Sequence, residues 1–348
     1  MPKVQRRTST VGTAIGLLLV ACTCAAAGAV TQSAATELGC TKVAFEFPLP
    51  AQVASEAVLA GARQVASAYG FCRPAYGAPP ATTWATGQVA DIKADIGAGD
   101  KVIMVDADDP VVPGPVLEAA MKAGAKVVTF GSDVPGARDL FVQATSYGAM
   151  AHALIGAAVE AEGPKAELLV MAMTPDSEVE LAWLGAMRSY AGARHVTLEI
   201  GGGQAVMPPS LKAAEQLMRA YPGADAILAI DDASIAGAAE AVTDLHRTAK
   251  IGVFGIGDPA PLRRYFANGS LRALFGWDED DEGELLMCVA KLAYDDIQPA
   301  STFSCPRGPT GSWAVTAKDN PGTGATRGTV IFSRPLEFTA ENYKSYDF

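Results

Sequence analysis

Four short apolar runs in this chain each end in an acidic loop, and a helix-like stretch follows each loop. The runs are Val102–Val105, Val127–Phe130, Ala226–Ile230 and Ile251–Ile256. Short β-branched runs that alternate with longer helical patterns indicate βαβ units and a parallel sheet. Ligands of such sheets bind just beyond the carboxyl ends of the strands. The acidic loops therefore fall where a ligand would bind, and carboxylates suit a molecule rich in hydroxyls or amines.

This rhythm of strands and helices occurs twice, which predicts an α/β protein of two lobes. A length of 348 residues also suggests about two domains, at roughly 150 residues each. We predict two doubly wound parallel-sheet lobes, joined by a hinge that the chain crosses near residues 145, 277 and 305. The predicted N-terminal lobe is 42–145 plus 279–304, and the predicted C-terminal lobe is 146–278 plus 305–348. The stretch Ser301–Thr329 is rich in Gly, Pro and Ser, and a short strand, Val330–Phe332, is predicted after it.

Composition excludes several classes of protein. With 49% hydrophobic and 19% charged residues, the chain can bury a large core and does not have the composition of a disordered protein. Its formal net charge of −11 disfavours nucleic acid and anionic membrane surfaces, because both attract basic patches. We therefore expect no nucleic-acid partner.

The N-terminus has the pattern of an export signal. Three basic residues, Lys3, Arg6 and Arg7, precede the apolar run Val11–Ala21. This run is shorter than the stretch of about 20 apolar residues that spans a membrane comfortably. We predict a signal peptide over residues 1–21.

The end of this run resembles the lipobox of bacterial lipoproteins. It reads Leu19-Val20-Ala21-Cys22, and cleavage there would leave Cys22 open to lipidation. Ordinary cleavage near Ala25–Ala27 is the alternative. Residues 22–41 are rich in small and polar side chains, which predicts a flexible tether. We expect an exported protein that is lipid-anchored at the outer face of the cytoplasmic membrane, or periplasmic without lipidation, with no other membrane contact.

Two cysteine pairs are candidates for disulfides, which an exported domain can hold. Cys40 and Cys72 each stand at the start of a predicted strand, and those strands should be neighbours. Cys288 and Cys305 form a second candidate pair. The alternative is that these are buried thiols, because sequence alone does not fix connectivity.

No catalytic or metal-binding pattern occurs in the sequence. The three histidines, His152, His195 and His246, have no neighbour at the spacing of metal ligands. A G-x-S-x-G elbow is absent, and the glycines at 201–203 and 255–257 do not complete a nucleotide-binding motif. We therefore expect no enzyme, no metal site and no cofactor.

Acidic residues at strand-to-helix turns can cap a helix instead of binding a ligand. Capping alone could account for Asp109 and Asp133. It accounts less well for the pair Asp231 and Asp232, since one helix end needs one cap. One member of that pair would then face the cleft.

Carboxylates can accept hydrogen bonds from the hydroxyl groups of a sugar, and aromatic rings can bind its apolar side. An apolar ring face can stack on the C–H face of a sugar. Trp277 lies at a predicted crossover, and Phe47 lies at the end of the first predicted strand. Glycine at 131 would let the backbone approach a ligand. The predicted ligand-binding residues are Glu46, Phe47, Asp108, Gly131, Ser132, Asp133, Glu178, Glu180, Asp231, Asp232, Asp258 and Trp277.

Four segments carry a resemblance to a known family: Ala119–Thr129, Ala220–Ala229, Phe275–Asp278 and Asn342–Phe348. On these segments the chain resembles bacterial solute-binding proteins of the type I periplasmic fold, nearest to the autoinducer-2 and rhamnose receptor group. The resemblance covers about Lys42–Phe348. It implies a two-lobed receptor that closes on a small polar ligand and delivers it to an ABC permease and its ATPase.

The chain departs from autoinducer-2 receptors at the polar contacts that the resemblance implies. It has Pro48 where they carry a lysine and Gly131 where they carry a carboxylate. Val179–Glu180 replaces an Asp-Gln pair, and Ile230 and Asp232 replace a Pro and an Ala. A site built for one hydrogen-bond pattern rejects a ligand that leaves its groups unpaired. We therefore predict that autoinducer-2 is not the ligand. A neutral polyol or sugar is expected, and an amino sugar or other cationic solute is the alternative.

Three functions fit these observations. The first is a monomeric ABC-transporter receptor for a sugar-like solute. The second is a sensor that presents its closed form to a membrane histidine kinase. The third is an exported glycosidase, because carboxylate pairs can cleave glycosides. The absence of any other catalytic motif and the length of the resemblance disfavour the third.

Overall fold

The computed structural model describes residues 39–48, 53–78, 84–107, 109–172, 178–194, 196–202, 207–297, 302–316 and 328–346. Residues from Gly39 onward form one compact unit. The predicted signal peptide, Cys22 and most of the predicted tether lie outside the described residues, and so does Asp108. Within the described ranges, no helix is long and apolar enough to cross a membrane.

Strands and helices alternate along most of the chain. In chain order, the strands are β1 (Val43–Glu46), β2 (Ala75–Gly77), β3 (Val102–Val105), β4 (Lys126–Phe130), β5 (Leu140–Thr145), β6 (Glu167–Ala172), β7 (Thr197–Gly202), β8 (Ala226–Ala229), β9 (Gly252–Ile256), β10 (Leu271–Gly276), β11 (Thr302–Phe303), β12 (Trp313–Thr316), β13 (Thr329–Ser333) and β14 (Leu336–Thr339). The helices are α1 (Val53–Val65), α2 (Trp84–Ala98), α3 (Gly114–Lys122), α4 (Tyr147–Glu162), α5 (Glu178–Gly192), α6 (Met207–Ala220), α7 (Asp232–Asp244), α8 (Pro259–Asn268) and α9 (Glu279–Tyr294).

The strands form two sheets, one in each lobe. The order in the first sheet is β11-β12-β13-β5-β4-β3-β1-β2, and the order in the second is β14-β10-β9-β8-β6-β7. Neighbouring strands are parallel from β13 to β2 and from β10 to β7, whereas β11, β12 and β14 join antiparallel at the edges. The predicted fold class, two parallel-dominated α/β lobes, is confirmed.

The lobe boundary predicted near residue 305 is wrong. Both β12 and β13 belong to the first sheet, where β13 pairs in parallel with β5. The last crossing therefore lies between Ser333 and Leu336, and only β14 and the residues after it join the second lobe. The other two crossings follow β5 and β10.

Helices cover both faces of each sheet, which explains why the central strands are continuous apolar runs. In the first lobe, α1 and α9 pack on one face, and α2 and α3 pack on the other. In the second lobe, α6, α7 and α8 cover one face, and α4 and α5 cover the other. All four residues of β3 are fully buried.

Two glycines set the position of α9 against α1. A Cβ atom at Gly61 would overlap the carbonyl oxygen of Asp280, and a Cβ atom at Gly283 would overlap that of Val58. Only glycine lets the two helix backbones approach this closely. The close contact fixes the first turn of α9, which contributes to the site described below.

Both predicted cysteine pairs are joined in the structure. The disulfide between Cys40 and Cys72 connects the segments before β1 and β2, with the Cα atoms 5.0 Å apart. The disulfide between Cys288 and Cys305 connects α9 to the segment after β11, with the Cα atoms 5.9 Å apart. Both bonds lie in or beside the first lobe.

Candidate functional site

A cavity of about 140 Å³ lies beyond the carboxyl ends of β1, β3 and β4, against the start of α9. Its position follows from the parallel sheet, whose strand ends meet at one edge. The lining residues are Phe47, Pro48, Ala54, Ser55, Val58, Asp106, Phe130, Gly131, Trp277, Glu279 and Glu282.

Three aromatic rings form the apolar part of the cavity wall. Phe47 and Phe130 are buried and meet edge to face, with 5.5 Å between their ring centroids. Trp277 is half-buried and follows β10, where the chain crosses from the second lobe to the first. The structure thus brings together Phe47 and Trp277, the two aromatic residues predicted from the sequence.

The loop after β4 and the end of β3 hold each other in place. Gly131 has a φ angle of 60°, a left-handed conformation that glycine adopts readily. The Ser132 amide donates a hydrogen bond of 3.0 Å to Oδ1 of Asp106. A Cβ atom at Gly131 would lie 2.8 Å from the same oxygen. Glycine at this position therefore lets the Asp106 carboxylate lie close against the loop.

Asp106 is the acidic residue that the strand ends of the first lobe present to the cavity. The acidic loop that follows β3 is predicted as part of the site, but the residue selected from it is Asp108, which lies outside the described residues. Asp106 directly follows β3, and Gln88 Nε2 donates a hydrogen bond of 2.7 Å to its carbonyl oxygen. Its position as the first residue after a buried strand was the signal that could have identified it.

The first turn of α9 adds two buried carboxyl groups that are not among the predicted ligand-binding residues. Glu279 and Glu282 are 5% and 4% exposed, and both line the cavity. They lie three residues apart, so they share one face of the helix. Acidic residues are common in first helical turns because they stabilise the helix dipole. Because acidic residues are so common in first helical turns, these two glutamates do not stand out in the sequence. Their spacing of three residues is the one sequence signal that they lie on the same face of the helix.

Burial raises the pKa of both glutamates. The pKa of Glu279 rises to about 10, chiefly because of burial and then because of the nearby Asp258 carboxylate. The pKa of Glu282 rises to about 8 because of burial and of Asp106, while a hydrogen bond from the Trp277 side chain acts in the opposite direction. At neutral pH the carboxyl groups of Glu279 and Glu282 are therefore protonated as long as no positive charge lies near them.

The second lobe contributes three acidic residues at the ends of β8 and β9. Asp231 caps α7, since its side chain accepts a hydrogen bond of 2.8 Å from the Ser234 amide. The Asp232 side chain reaches solvent, yet enclosure by the protein raises its pKa to about 7, with further contributions from Asp258 and Asp231. Of this pair, Asp231 is the member that caps the helix.

Asp258 connects the second-lobe acidic residues to α9. It occupies the N-cap position of α8 without a side-chain capping hydrogen bond, and its carboxyl group hydrogen-bonds to Glu279. Burial raises the pKa of Asp258, while the hydrogen bond with Glu279 lowers it. A carboxyl pair therefore joins the two lobes at the crossover.

Glu46 lies on the opposite face of the sheet from the cavity. Side chains alternate along a strand, so the neighbours Phe45 and Phe47 face α1 and α9 while Glu46 faces α2. There it hydrogen-bonds to Asp95, and burial raises its pKa to about 10, with Asp95 contributing next. The prediction of Glu46 as a cleft residue is therefore wrong, because the alternation directs it away.

Asp133 has a structural role in place of the predicted contact with a ligand. Its carboxylate accepts hydrogen bonds of 2.6 and 2.8 Å from Nε and Nη2 of Arg138. Thr129 donates a further one, of 2.5 Å. Asp109 accepts hydrogen bonds from the amides of Val111 and Val112 and so stabilises a turn.

Three predicted residues remain. Glu180 is buried on α5, outside the described cavity lining. Glu178 begins α5, and its side chain is outside the described part of the structure. Ser132 contributes its backbone amide to Asp106. Within the described ranges, no group of three or more His, Cys, Asp or Glu residues is arranged to hold a metal ion.

The sequence matches a known family over most of the structured chain. Residues 52–295 match the sequence model of a family described as "Periplasmic binding protein domain". This match includes every residue of the cavity lining except Phe47 and Pro48.

Solved structures share the fold at low sequence identity. An ABC transporter solute-binding protein from Clostridium phytofermentas with bound L-rhamnose is 22% identical, with a TM-score of 0.77 over 88% of this chain and 98% of that one. A sugar ABC transporter from Actinomyces odontolyticus is 23% identical, with a TM-score of 0.72 over 88% and 98%. LsrB from Clostridium saccharobutylicum in complex with AI-2 is 20% identical, with a TM-score of 0.75 over 88% and 100%.

Proposed function

Because this chain belongs to the periplasmic binding protein domain family, we propose that it is an extracytoplasmic receptor for a small, sugar-like solute. It captures the solute between its two lobes and delivers it to an ABC permease and its ATPase. Two of the structurally similar proteins were solved with L-rhamnose and with AI-2, both small ligands, which is consistent with this proposal.

The observation that carries the proposal is the cavity at the hinge, in which aromatic rings and carboxyl groups lie side by side. Phe47, Phe130 and Trp277 offer apolar faces for the C–H groups of a sugar ring. Asp106 and Glu282 offer oxygen atoms for its hydroxyl groups. Orientation by a few polar groups in an apolar cavity is typical of small-molecule sites.

Capture proceeds by closure of the two lobes about the crossovers. In such receptors, a few residues at the crossovers absorb the change of angle while each lobe moves as a rigid body. Closure brings the strand end that carries Asp231 and Asp232 toward the cavity of the first lobe. The ligand stabilises the closed form to the extent that it binds that form more tightly.

A thermal-shift screen of monosaccharides and polyols tests this function. A solute present at 100 times its dissociation constant should stabilise the protein by roughly 2.7 kcal/mol. Trp277→Ala should abolish the shift, whereas Tyr294→Ala, at the far end of α9 and 40% exposed, should retain it. The absence of a shift with any solute, or an equal shift in Trp277→Ala, would contradict the proposal.

Autoinducer-2 is expected not to bind. Two of its expected polar partners are replaced by Pro48 and Gly131, and both of these residues line the cavity. A hydrogen-bonding ligand that loses such partners loses affinity by several powers of ten. Titration calorimetry with autoinducer-2 should give no measurable heat of binding, and micromolar binding would refute this expectation.

For the location, we propose export with lipidation at Cys22, and a monomeric receptor at the membrane surface. The lipobox-like segment Leu19–Cys22 supports lipidation and attachment to the membrane surface. Radiolabelled palmitate incorporated into the protein, and lost in Cys22→Ser, would support lipidation. Incorporation that is equal in both proteins would exclude it.

A further inference from the structure

We propose that Asp258 and Glu279 share one proton across the crossover that follows β10, and that this shared proton holds the two lobes together. The pair is a latch, because loss of the proton as the pH rises frees the lobes to separate. The inference rests on the proposed function, since it describes how closure around that site is regulated. Asp258 lies outside the cavity lining, so its role is to position Glu279, which lies within it.

The two residues of the latch belong to different lobes. Asp258 follows β9 and is the N-cap of α8 in the second lobe. Glu279 is the first residue of α9, whose backbone is held against α1 of the first lobe at Gly283. Between the two lobes the chain passes through Trp277 and Asp278, directly before Glu279. Rotation of the lobes about this crossover therefore moves one carboxyl group relative to the other.

The contact between the two carboxyl groups requires a proton. Ionised carboxylates only accept hydrogen bonds, so the hydrogen bond between Asp258 and Glu279 forms only when one of them is protonated. Glu279 is 5% exposed, and its Oε2 atom receives no hydrogen bond from an N–H or hydroxyl group of the described residues. Without the shared proton, two negative charges would lie together away from water, which costs free energy.

The nearest charged groups around the latch are acidic. Glu282 lies three residues further along α9 and contributes to the raised pKa of Glu279, and Asp106 acts on Glu282 in turn. On the second lobe, Asp232 lies against the residue before Asp258, where a Cβ atom at Gly257 would be 2.5 Å from its Oδ1 atom. Asp258 and Asp231 both raise the pKa of Asp232. These charges favour the protonated form of the latch.

Basic groups on the neighbouring elements are exposed or bonded elsewhere. Arg334 lies exposed on the crossover from β13 to β14. On α8, Arg263 donates a hydrogen bond to the carbonyl oxygen of Tyr346, and Arg264 donates one to Glu240. The α1 residues in the cavity lining are uncharged, namely Ala54, Ser55 and Val58. Among the described residues, the charges that act on Glu279 are therefore negative, and the shared proton is what joins the pair.

The shared proton couples closure to pH. While the pair is joined, burial raises the pKa of Glu279 to about 10 and also raises the pKa of Asp258. In separated lobes both groups face water, where their ordinary pKa values are 4.5 and 3.8. Between pH 4.5 and about 10, the joined form therefore holds a proton that the separated form has released. The ratio of joined to separated lobes should fall by up to about tenfold for each unit of rising pH.

A second carboxyl pair of the same kind lies within the first lobe and provides a control. Glu46 hydrogen-bonds to Asp95 on α2, and neither Oε2 of Glu46 nor Oδ2 of Asp95 receives a hydrogen bond from an N–H or hydroxyl group of the described residues. Both residues of this pair move with one lobe. Its proton therefore affects the stability of that lobe and not the separation of the two lobes.

Small-angle X-ray scattering of the solute-free protein tests the latch, with the radius of gyration measured from pH 5.5 to 8.5. In the native protein, the radius should increase as the pH rises. The amide of Asp258→Asn can donate a hydrogen bond to an ionised Glu279 without a shared proton. Its radius should therefore stay at the low-pH value of the native protein. Glu46→Gln should show the same increase as the native protein.

Three results would overturn the proposal: a constant radius in the native protein, an equal increase in Asp258→Asn, or loss of the increase in Glu46→Gln. Glu279→Gln, whose amide can donate to Asp258, covers a folding defect in Asp258→Asn and should also have a constant radius. Because no solute is present in this measurement, failure of the latch leaves the receptor function standing. The thermal-shift screen tests that function separately.

Discussion

At the scale of single residues, the ion pair between Asp133 and Arg138 is buried and stabilises the loop after β4. The side chains are 5% and 1% exposed, with 2.6 Å between Oδ1 and Nε. Arg138→Leu would leave a buried carboxylate without its cation, which should cost about 3–5 kcal/mol of unfolding free energy. Urea denaturation measures this loss.

The control is the exposed pair on α6. Arg219 is 66% exposed where it contacts Glu215, so Arg219→Leu should change the unfolding free energy by less than about 1 kcal/mol. Equal losses in the two variants would contradict the structural role assigned to Asp133.

Glu46 gives stability a dependence on pH. Its pKa is raised from 4.5 to about 10, so between these values the folded chain holds a proton that the unfolded chain has released. The stability from the protonated carboxyl is therefore complete below pH 4.5 and is lost as the pH rises toward 10. Glu46→Gln keeps an uncharged side chain at all pH values and should flatten this decline, measured as urea midpoints from pH 5.5 to 8.5. A decline as steep as that of the native chain would contradict the prediction.

Two residues show how much of the candidate site can be predicted from the sequence. The acidic loop after β3 was predicted as part of the site, and Asp106 of that loop does line the cavity. Glu46 belongs to a strand, where alternation sends adjacent side chains to opposite faces. The face that holds the cavity depends on which helices pack there, and residue types alone do not specify that choice.

At the scale of elements, the close contact between α1 and α9 positions the acidic turn of the site. A methyl group at Gly283 would overlap the backbone of α1 at Val58, so Gly283→Ala should force the helices apart. We expect a loss of about 1–3 kcal/mol in unfolding free energy, as for overpacked cores, and weaker ligand binding through displacement of Glu279 and Glu282.

Gly185→Ala is the matched control for this contact. Gly185 lies within α5, and a Cβ atom there would have no neighbour within 4 Å. Alanine at such a helical position should leave stability unchanged or raise it by up to about 1 kcal/mol. A Gly283→Ala protein as stable as Gly185→Ala would mean that α9 is not fixed by the contact with α1.

The parallel strands were predictable because each is an apolar run between turn signals, as at β3 and β4. The edge strands were harder. No strand is predicted in the Gly-, Pro- and Ser-rich stretch Ser301–Thr329, yet β12 lies in it and extends the first sheet. Short antiparallel edge strands gain their stability from pairing with a neighbour, here β13, and leave little periodicity of their own.

At the scale of the whole molecule, acidic side chains from the two lobes meet at a crossover. Trp277 and the first turn of α9 lie at one crossover, and Asp258 of the second lobe contacts Glu279 there. Opening and closing of the lobes would therefore change the surroundings of these carboxyl groups. The pKa values of these carboxyl groups would therefore change when the lobes open or close.

The cavity at this crossover is proposed to capture one small solute. Native mass spectrometry tests it directly, with the protein equilibrated in a mixture of monosaccharides, polyols and amino sugars. We predict a single bound solute per chain, retained in Tyr294→Ala and lost in Trp277→Ala. A chain that carries no solute, or a bound solute that persists in Trp277→Ala, would contradict the account.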